Sequence, residues 1–222
     1  MAIVAYVLGA VVGYLLGSIP TGFLMGTARG IDIRTVGSGN IGATNVFRHL
    51  GVPAGIFVLL ADAFKGWVAV ILATELFYRW FVPGGGGAIV REWLGIIAGL
   101  SAILGHNFTC WLHFKGGKGI ATSAGVLIAL VPLAFLIILG IWIIVFGITR
   151  YVSLASISGA AALPITTWLT QGSITMIAIT AVMAALAIYK HKANIQRLLK
   201  GTEHRISLRK SVPPTAESKK VS

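Results

Sequence analysis

Glycines and short polar side chains fill the segment from Val36 to Arg48, which reads VGSGNIGATNVFR. Glycine lets backbone N–H groups approach an anion closely, and serine, threonine and asparagine add side-chain donors. The guanidinium of Arg48 can bind a phosphate group through two parallel hydrogen bonds. The segment therefore indicates a phosphate-binding loop, and the alternative is a glycine-rich turn that only connects two helices.

The same segment matches the dinucleotide-binding pattern G-x-G-x-x-G at Gly37, Gly39 and Gly42, with Asp62 at the distance expected for the acidic residue of that pattern. That pattern binds a dinucleotide only when it follows a strand in a βαβ unit. Here it follows an apolar run long enough to cross a membrane, and Asp62 falls inside another such run. We therefore exclude a dinucleotide site.

A second glycine-rich segment, from Lys115 to Gly119, reads KGGKG and precedes a predicted helix that starts at Ile120. The free N–H groups and the dipole at the amino end of a helix favour an anion, and the two lysines add positive charge. The spacing does not match the Walker pattern. The alternative is that the lysines only fix the orientation of the chain in the membrane.

Weaker signals come from two further segments and from one pair of charges. The segment from Arg150 to Ser156 offers an arginine and hydroxyls at the amino end of a predicted helix, where serine is also a common cap. His191 and Asn194 share one face of a helix, although a histidine near a membrane surface is more often a hydrogen-bonded interfacial residue. Asp62 and Lys65 share a face within an apolar run, which is typical of a functional site or of a structural ion pair.

The composition places these segments in a membrane protein. Of the 222 residues, 56% are hydrophobic and 11% are charged, and the mean hydropathy is +0.89. A nucleic-acid-binding protein could share the net charge of +12, but nine of the 18 cations follow Tyr189 and the others lie mostly in short loops between apolar runs. We therefore expect no nucleic-acid partner. The single cysteine, Cys110, excludes an intramolecular disulfide and a cysteine-based metal site.

The lengths of the apolar runs predict an all-α, polytopic integral membrane protein with seven transmembrane helices. A run of about 20 residues rises about 30 Å as a helix and so crosses the hydrocarbon core. The predicted segments are 2–28, 53–81, 93–112, two short helices within 119–149, 153–170 and 174–189. The excess of basic residues in alternate loops predicts an external N-terminus and a cytoplasmic C-terminus. The absence of a basic residue before Arg29 favours a retained first helix over a cleaved signal peptide.

The uncharged run from Gly119 to Thr149 is too long for one straight pass and too short for two full ones. A single pass would place Arg150 and the basic C-terminal tail outside, against the positive-inside rule. Two short helices hinged near Pro132 place both inside, because proline removes a helical hydrogen bond. The alternative is one kinked helix.

This topology brings the four polar segments to the cytoplasmic face of a single membrane-embedded domain, residues 1–205. Residues 206–222 are predicted to form a basic, disordered cytoplasmic tail that is attracted to anionic lipid. A small anion transporter or permease is the competing class, but it should concentrate its polar groups near the membrane midplane. An assembly partner without chemistry would leave the clustered donors unexplained.

Four motifs together resemble the bacterial PlsY family, the acyl phosphate:glycerol-3-phosphate acyltransferases: GSGNIGATNVFR (37–48), GHNFTCWLHFKGGKGIAT (105–122), RYVSLAS (150–156) and HKANIQRLLKGTEHR (191–205). The resemblance extends to GSIP (17–20) and DAFKG (62–66). It implies a seven-helix enzyme of the cell inner membrane with a cytoplasmic active site. It also implies transfer of a fatty acyl group from acyl phosphate to the 1-hydroxyl of sn-glycerol 3-phosphate, which yields lysophosphatidic acid and phosphate in the first acylation of phospholipid biosynthesis.

The resemblance implies no cofactor and no metal. The expected partners are the two substrates, membrane lipid and the enzyme that produces acyl phosphate. By similarity, the predicted substrate-binding residues are Ser38, Asn40, Asn45, Arg48, Gly116, Lys118, Ser153, His191 and Asn194. Of these, the predicted catalytic residues are Ser38, Arg48, Lys118, Ser153, His191 and Asn194.

The expected roles follow from the charges of the substrates. Arg48, Lys118 and His191 neutralise the two phosphate groups, while serines and asparagines supply oriented hydrogen bonds. Acyl phosphate is a mixed anhydride with a good leaving group, so alignment and charge stabilisation suffice without a protein nucleophile. We expect no carboxylate in these motifs, and we therefore expect the departing phosphate to take the proton.

Overall fold

The apolar runs fold into helices, as predicted, and the described residues contain no strand. The computed structural model describes residues 2–82, 84, 86–171 and 173–206. Pro83, Gly85 and Gly172, which belong to the two predicted external turns, and the predicted tail from Ser207 onward lie outside the described residues. The predicted all-α class is confirmed for the described part of the chain.

Eleven α-helices follow one another in the described ranges: α1 (Ala2–Ser18), α2 (Thr21–Thr27), α3 (Ala43–Leu50), α4 (Val52–Ile71), α5 (Tyr78–Phe81), α6 (Gly87–Asn107), α7 (Ile120–Leu130), α8 (Pro132–Thr149), α9 (Val152–Gln171), α10 (Ile174–Lys190) and α11 (Lys192–Leu199). A π-helical turn, Leu72–Phe77, joins α4 to α5, and a 3₁₀ turn, Cys110–Leu112, follows α6.

Five of the described helical segments are long and apolar enough to cross a bilayer: Ala2–Thr27, Val52–Phe81, Gly87–Leu112, Pro132–Thr149 and Val152–Gln171. A sixth is formed by α10 together with α11, which are bent by 58° relative to each other. Helix α7 is apolar but has only 11 residues, so it rises about 16 Å, roughly half of the hydrocarbon core.

The predicted hinge near Pro132 is present. Val131 separates α7 from α8 with φ −141° and ψ 61°, outside the α region that a following proline disfavours. Pro132 takes the first position of α8, where its missing N–H group needs no helical partner. Two helices, and not one kinked helix, therefore follow the second glycine-rich segment.

Two element boundaries differ from the prediction. The first apolar segment is divided between α1 and α2 at Pro20, which cannot donate a backbone hydrogen bond. The third begins at Gly87 instead of Trp93. Arg91 and Glu75 were predicted to flank a loop, but both lie within helical segments. Arg91 forms an ion pair with Glu75 and donates a hydrogen bond to the carbonyl of Thr74 (3.1 Å).

The helices pack as two groups. In the first, α1 lies against α6 and α4, and α4 also contacts α7; in the second, α9 lies between α8 and α10. Glycines allow the close approach of α1 to α6, since a Cβ atom on Gly13 or Gly17 would overlap the backbone of α6. A buried apolar cluster that includes Leu127, Leu163 and Met183 fills the space between the two groups.

The two ends of the bundle are marked by contacts between distant residues. At one end, Lys118, just before α7, meets Asn194 of α11. At the other end, the Gln171 side chain at the end of α9 donates a hydrogen bond to the carbonyl of Leu130, the last residue of α7 (3.4 Å). Helices α7 and α8 therefore carry the chain from the polar end of the bundle to the opposite end and back.

Candidate functional site

A cavity of about 190 Å³ lies at the polar end of the bundle. The residues that line it are Ser38, Asn40, Gly117, Lys118, Lys190, Ala193, Asn194 and Arg197. They come from three of the four predicted motifs and from the end of α10. The predicted convergence of separate polar segments is therefore observed.

The first glycine-rich loop is shaped by Asn45. This buried side chain donates hydrogen bonds to the carbonyls of Ile33 (3.0 Å) and Val36 (3.1 Å) and accepts one from the backbone N–H of Ser38 (3.2 Å). Its polar atoms are thus engaged within the loop, while Ser38 and Asn40 line the cavity. Asn45 supports the loop and does not face the cavity.

The second glycine-rich loop rests on the carboxyl end of α6. The N–H groups of Gly116 and Gly117 donate hydrogen bonds to the carbonyls of Asn107 (3.3 Å) and His106 (3.0 Å). A Cβ atom on Gly116 would overlap the His106 carbonyl, so this glycine permits the close approach. Gly117, and not the predicted Gly116, lines the cavity.

Lys118 carries the charge of this loop into the cavity. Its Nζ donates a hydrogen bond to Oδ1 of Asn194 at 2.5 Å, across the boundary between the two groups of helices. Burial disfavours the charged form and lowers the pKa of Lys118 to about 8, although the carboxylate of Glu203 opposes this shift. The positive charge of the ammonium group is thus only partly neutralised by the protein, and an anionic ligand would complete the neutralisation.

Glu203 joins the third and fourth motifs. Its Oε1 accepts hydrogen bonds from Oγ of Ser153 (2.8 Å) and Nδ2 of Asn194 (2.7 Å), and its Oε2 accepts one from Nε of Arg197 (2.6 Å). Although partial burial acts in the opposite direction, these bonds hold the pKa of Glu203 below its ordinary value. The expectation that the motifs contain no carboxylate is wrong.

Residues 201–206 pass from the end of α11 to the start of α9 and contact the first motif on the way. The Arg48 side chain donates a hydrogen bond to the carbonyl of His204 (3.0 Å), and the N–H of Ile206 donates one to the carbonyl of Arg150 (3.0 Å). Burial lowers the pKa of Arg48 relative to its ordinary value, but a guanidinium remains charged at neutral pH. Arg48 and Ser153 therefore adjoin the cavity through residues 203 and 204 and do not line it.

His191 is buried between α10 and α11 and is not among the residues that line the cavity. Its Nδ1 lies 2.8 Å from the carbonyl of Ala187. Because a carbonyl only accepts hydrogen bonds, Nδ1 carries the hydrogen atom in this contact. Burial, together with the charge of Lys118, lowers the pKa of His191 to about 4. The imidazole is therefore neutral at pH 7, and its Nε2 can accept a hydrogen bond.

Four residues that line or adjoin the cavity were not among the predicted site residues: Gly117, Lys190, Arg197 and Glu203. Lys190 donates a hydrogen bond to the carbonyl of Asn107 (3.1 Å) and lies 4.5 Å from the centre of the Phe108 ring. These residues fall within or beside the recognised motifs, so a sequence signal was available for each. Among the described residues, no three His, Cys, Asp or Glu side chains lie close enough to hold a metal ion.

Comparison with known proteins identifies the family. The family model described as glycerol-3-phosphate acyltransferase matches residues 7–201, which is most of the chain. The chain belongs to the glycerol-3-phosphate acyltransferase family. Curated members of this family include a protein from Geobacter metallireducens, 50% identical over 86% of this chain and 93% of its own length. Another, from Desulforudis audaxviator, is 45% identical over 95% of this chain and 100% of its own length.

Solved structures of the family share the fold. The crystal structure of PlsY, an integral membrane glycerol 3-phosphate acyltransferase, in its glycerol 3-phosphate form is 36% identical and covers 91% of this chain and 96% of its own, with a TM-score of 0.80. The lysophosphatidic acid form of PlsY is 35% identical, covers 91% of this chain and 95% of its own, and has a TM-score of 0.78. The protein described here is therefore an integral membrane protein.

Proposed function

We propose that this enzyme transfers a fatty acyl group from acyl phosphate to the 1-hydroxyl of sn-glycerol 3-phosphate. The products are lysophosphatidic acid and inorganic phosphate. The observation that carries this proposal is the cavity at the polar end of the bundle, whose cations and amide donors come from distant parts of the chain. One member of the family, PlsY, has been solved in a glycerol 3-phosphate form and in a lysophosphatidic acid form.

The cavity suits phosphate groups because both cationic and neutral hydrogen-bond donors line it. Lys118, Lys190 and Arg197 supply positive charge, and Ser38 and Asn40 supply neutral polar groups. We assign the binding of the phosphate groups to these residues, with Arg48 adjoining the first loop.

The reaction itself needs alignment and charge stabilisation. The hydroxyl oxygen of glycerol 3-phosphate attacks the carbonyl carbon of acyl phosphate, a C–O ester bond forms, and the C–O bond to the phosphate breaks. The cations of the cavity stabilise the oxyanion and the leaving phosphate. We assign the proton of the hydroxyl to the departing phosphate, because Glu203 already accepts three hydrogen bonds and its low pKa makes it a weak base.

His191, Asn194 and Ser153 have orienting roles in this scheme. Neutral His191 can accept a hydrogen bond through Nε2, and Asn194 links Lys118 to the carboxylate of Glu203. Ser153 donates its hydroxyl hydrogen to that carboxylate, and we assign it an orienting role and not that of a nucleophile.

We also propose that the protein lies in the cell inner membrane and crosses it seven times. Its N-terminus is outside and its C-terminus is in the cytoplasm. The contact between Gln171 and Leu130 supports a crossing by α7, because it places the end of this short helix beside the end of a full-length one. The excess of basic residues around the cavity supports a cytoplasmic location. Single cysteines at Lys115 and Ser173 in a Cys110→Ser background test this topology, since a membrane-impermeant maleimide applied to intact cells should label only the second.

The domain boundaries follow from the same scheme. Residues 1–205 form the membrane-embedded acyltransferase domain, and 206–222 form the predicted basic tail. Since acyl phosphate is a reactive anhydride, we propose the enzyme that produces it as a partner. Co-purification of the two enzymes from membranes tests this proposal.

The activity is tested with purified enzyme, an acyl phosphate and glycerol 3-phosphate. We expect equal amounts of inorganic phosphate and lysophosphatidic acid, and no product when acyl-CoA replaces the acyl phosphate. The same protein in liposomes should not accumulate glycerol 3-phosphate, because the donors lie at one end of the bundle and not at its midplane. Uptake without acylation would favour the transporter interpretation instead.

A further inference from the structure

A second polar cluster lies next to the cavity, inside the first group of helices. Asp62 of α4 is almost completely buried, and its Oδ1 accepts hydrogen bonds from Oγ1 of Thr21 (2.5 Å) and Nζ of Lys65 (2.8 Å). The same ammonium group donates to the carbonyl of Ile19 (2.8 Å), where the chain breaks between α1 and α2. Asp62 and Lys65 therefore satisfy each other, and the pair needs no further partner.

His106 of α6 nevertheless lies against this pair. Its Nδ1 is 3.5 Å from Oδ1 of Asp62, and the side chain is 4% exposed. A polar ring at this depth is costly to bury among helices. An apolar side chain would fill the volume at lower cost, so stability alone does not explain a histidine at this position.

The opposite side of the His106 ring contacts the second glycine-rich loop. A Cβ atom on Gly117 would overlap the Nε2 atom of His106, so the backbone of the loop lies directly against the imidazole. The N–H of Gly117 also donates a hydrogen bond to the carbonyl of His106 (3.0 Å). A single residue thus sets the position of Gly117 through both its ring and its backbone.

Gly117 lines the cavity and precedes Lys118, whose ammonium group reaches across to Asn194. A displacement of Gly117 therefore moves the cation that meets the substrate. We propose that His106 is a positioning residue for the glycine-rich loop, and that Asp62 sets the place of the His106 ring. This inference rests on the proposed function, since it concerns the same cavity.

The first test replaces His106 by glutamine, which keeps a polar side chain but removes the ring. We expect kcat/KM for glycerol 3-phosphate to fall about tenfold to a hundredfold, because small errors of position are costly in catalysis, while the detergent-solubilised enzyme remains monodisperse. The matched control is Thr167→Val, which removes another buried polar group, on α9, and should leave both kinetic constants unchanged. A merely structural histidine would lower the melting temperature but leave KM and kcat per folded molecule at the parent values, and that result would overturn the inference.

The second test asks whether Asp62 acts through His106. Because Asp62→Asn alone would leave Lys65 buried without its anion, the variant is Asp62→Asn combined with Lys65→Met. We expect this pair to reduce kcat/KM, and we expect it to cause no additional loss in the His106→Gln background. Losses that multiply would show that the two sites act independently and would contradict the role of Asp62.

The two proposals fail in different ways. If the parent enzyme does not turn over acyl phosphate and glycerol 3-phosphate, the proposed function is wrong, and the inference is wrong with it. If the parent is active and His106→Gln has parental kinetics, only the inference is wrong.

Discussion

Replacement of Lys118 by methionine removes one charge from the cavity and keeps an unbranched side chain of similar length. Lys118 is partly buried and its Nζ lies 2.5 Å from Oδ1 of Asn194. In the proposed mode of binding, little water would therefore separate its ammonium group from a phosphate group. A hydrogen bond to a charged group contributes about 1.5–3 kcal/mol, and loss of one partner from a buried pair costs about 3–5 kcal/mol. Taking about 3 kcal/mol for the transition state, we expect kcat/KM to fall by about a hundredfold.

The same substitution should not destabilise the protein. Burial lowers the pKa of Lys118 from its ordinary value of 10.5 to about 8, so the folded state disfavours its charge. Between these values the unfolded chain binds more protons, and the stability of the parent therefore rises with pH in this interval. Methionine removes that penalty, and we expect a melting temperature equal to or above that of the parent at pH 7.

The measurement combines steady-state kinetics with thermal unfolding in detergent. Lys115→Met is the matched control, because it removes the same charge from the same loop at an exposed position. We expect this control to change kcat/KM by less than about threefold, as is usual for an exposed charge. If the two variants lose equal activity, the loop acts only through its net charge, and the reasoning from the contact with Asn194 is refuted.

Three further predictions concern the same cavity. The kcat/KM value should decline as the pH rises above about 8, because Lys118 of the free enzyme then loses its proton; a flat profile from pH 7 to 10 would contradict this assignment. Ser153→Ala should lower kcat/KM about tenfold by removing one hydrogen bond to Glu203, and mass spectrometry of a single turnover should detect no acyl-serine in the parent, whereas trapped acyl-Ser153 would make this residue a nucleophile. Activity should survive EDTA, and its loss with recovery on adding Mg²⁺ would require a metal that this scheme does not use.

The membrane helices could be predicted because their signal is local. A run of apolar residues crosses the bilayer whatever lies beside it, and the break at Pro132 follows from the chemistry of proline itself. The start of α6 could not be predicted in the same way. Arg91 belongs to the helix because Glu75, from another segment, neutralises it.

The sequence predicted which loops form the candidate site, but it did not predict which side chains in those loops face the cavity. The convergence of Lys118 with Asn194 followed from topology and loop charge. The role of Asn45 did not, because an asparagine that folds its own loop and one that binds a ligand have the same sequence signal. Glu203 lies within the motif 191–205, so its presence could be read from the sequence. Its contact with Ser153, 50 residues away in the sequence, could not.

Residues 201–206 contact the first, third and fourth motifs. In the sequence, this segment comes after all of the membrane helices described above. During synthesis, the ribosome therefore delivers this segment after the bundle has begun to insert. The residues of α9 and α11 that donate hydrogen bonds to the Glu203 carboxylate have already been synthesised when Glu203 is added to the chain. Termination of translation ahead of this codon would thus give an inserted polypeptide in which the proposed site is incomplete. On the proposed function, competence for lipid synthesis is then acquired as a late step of biogenesis.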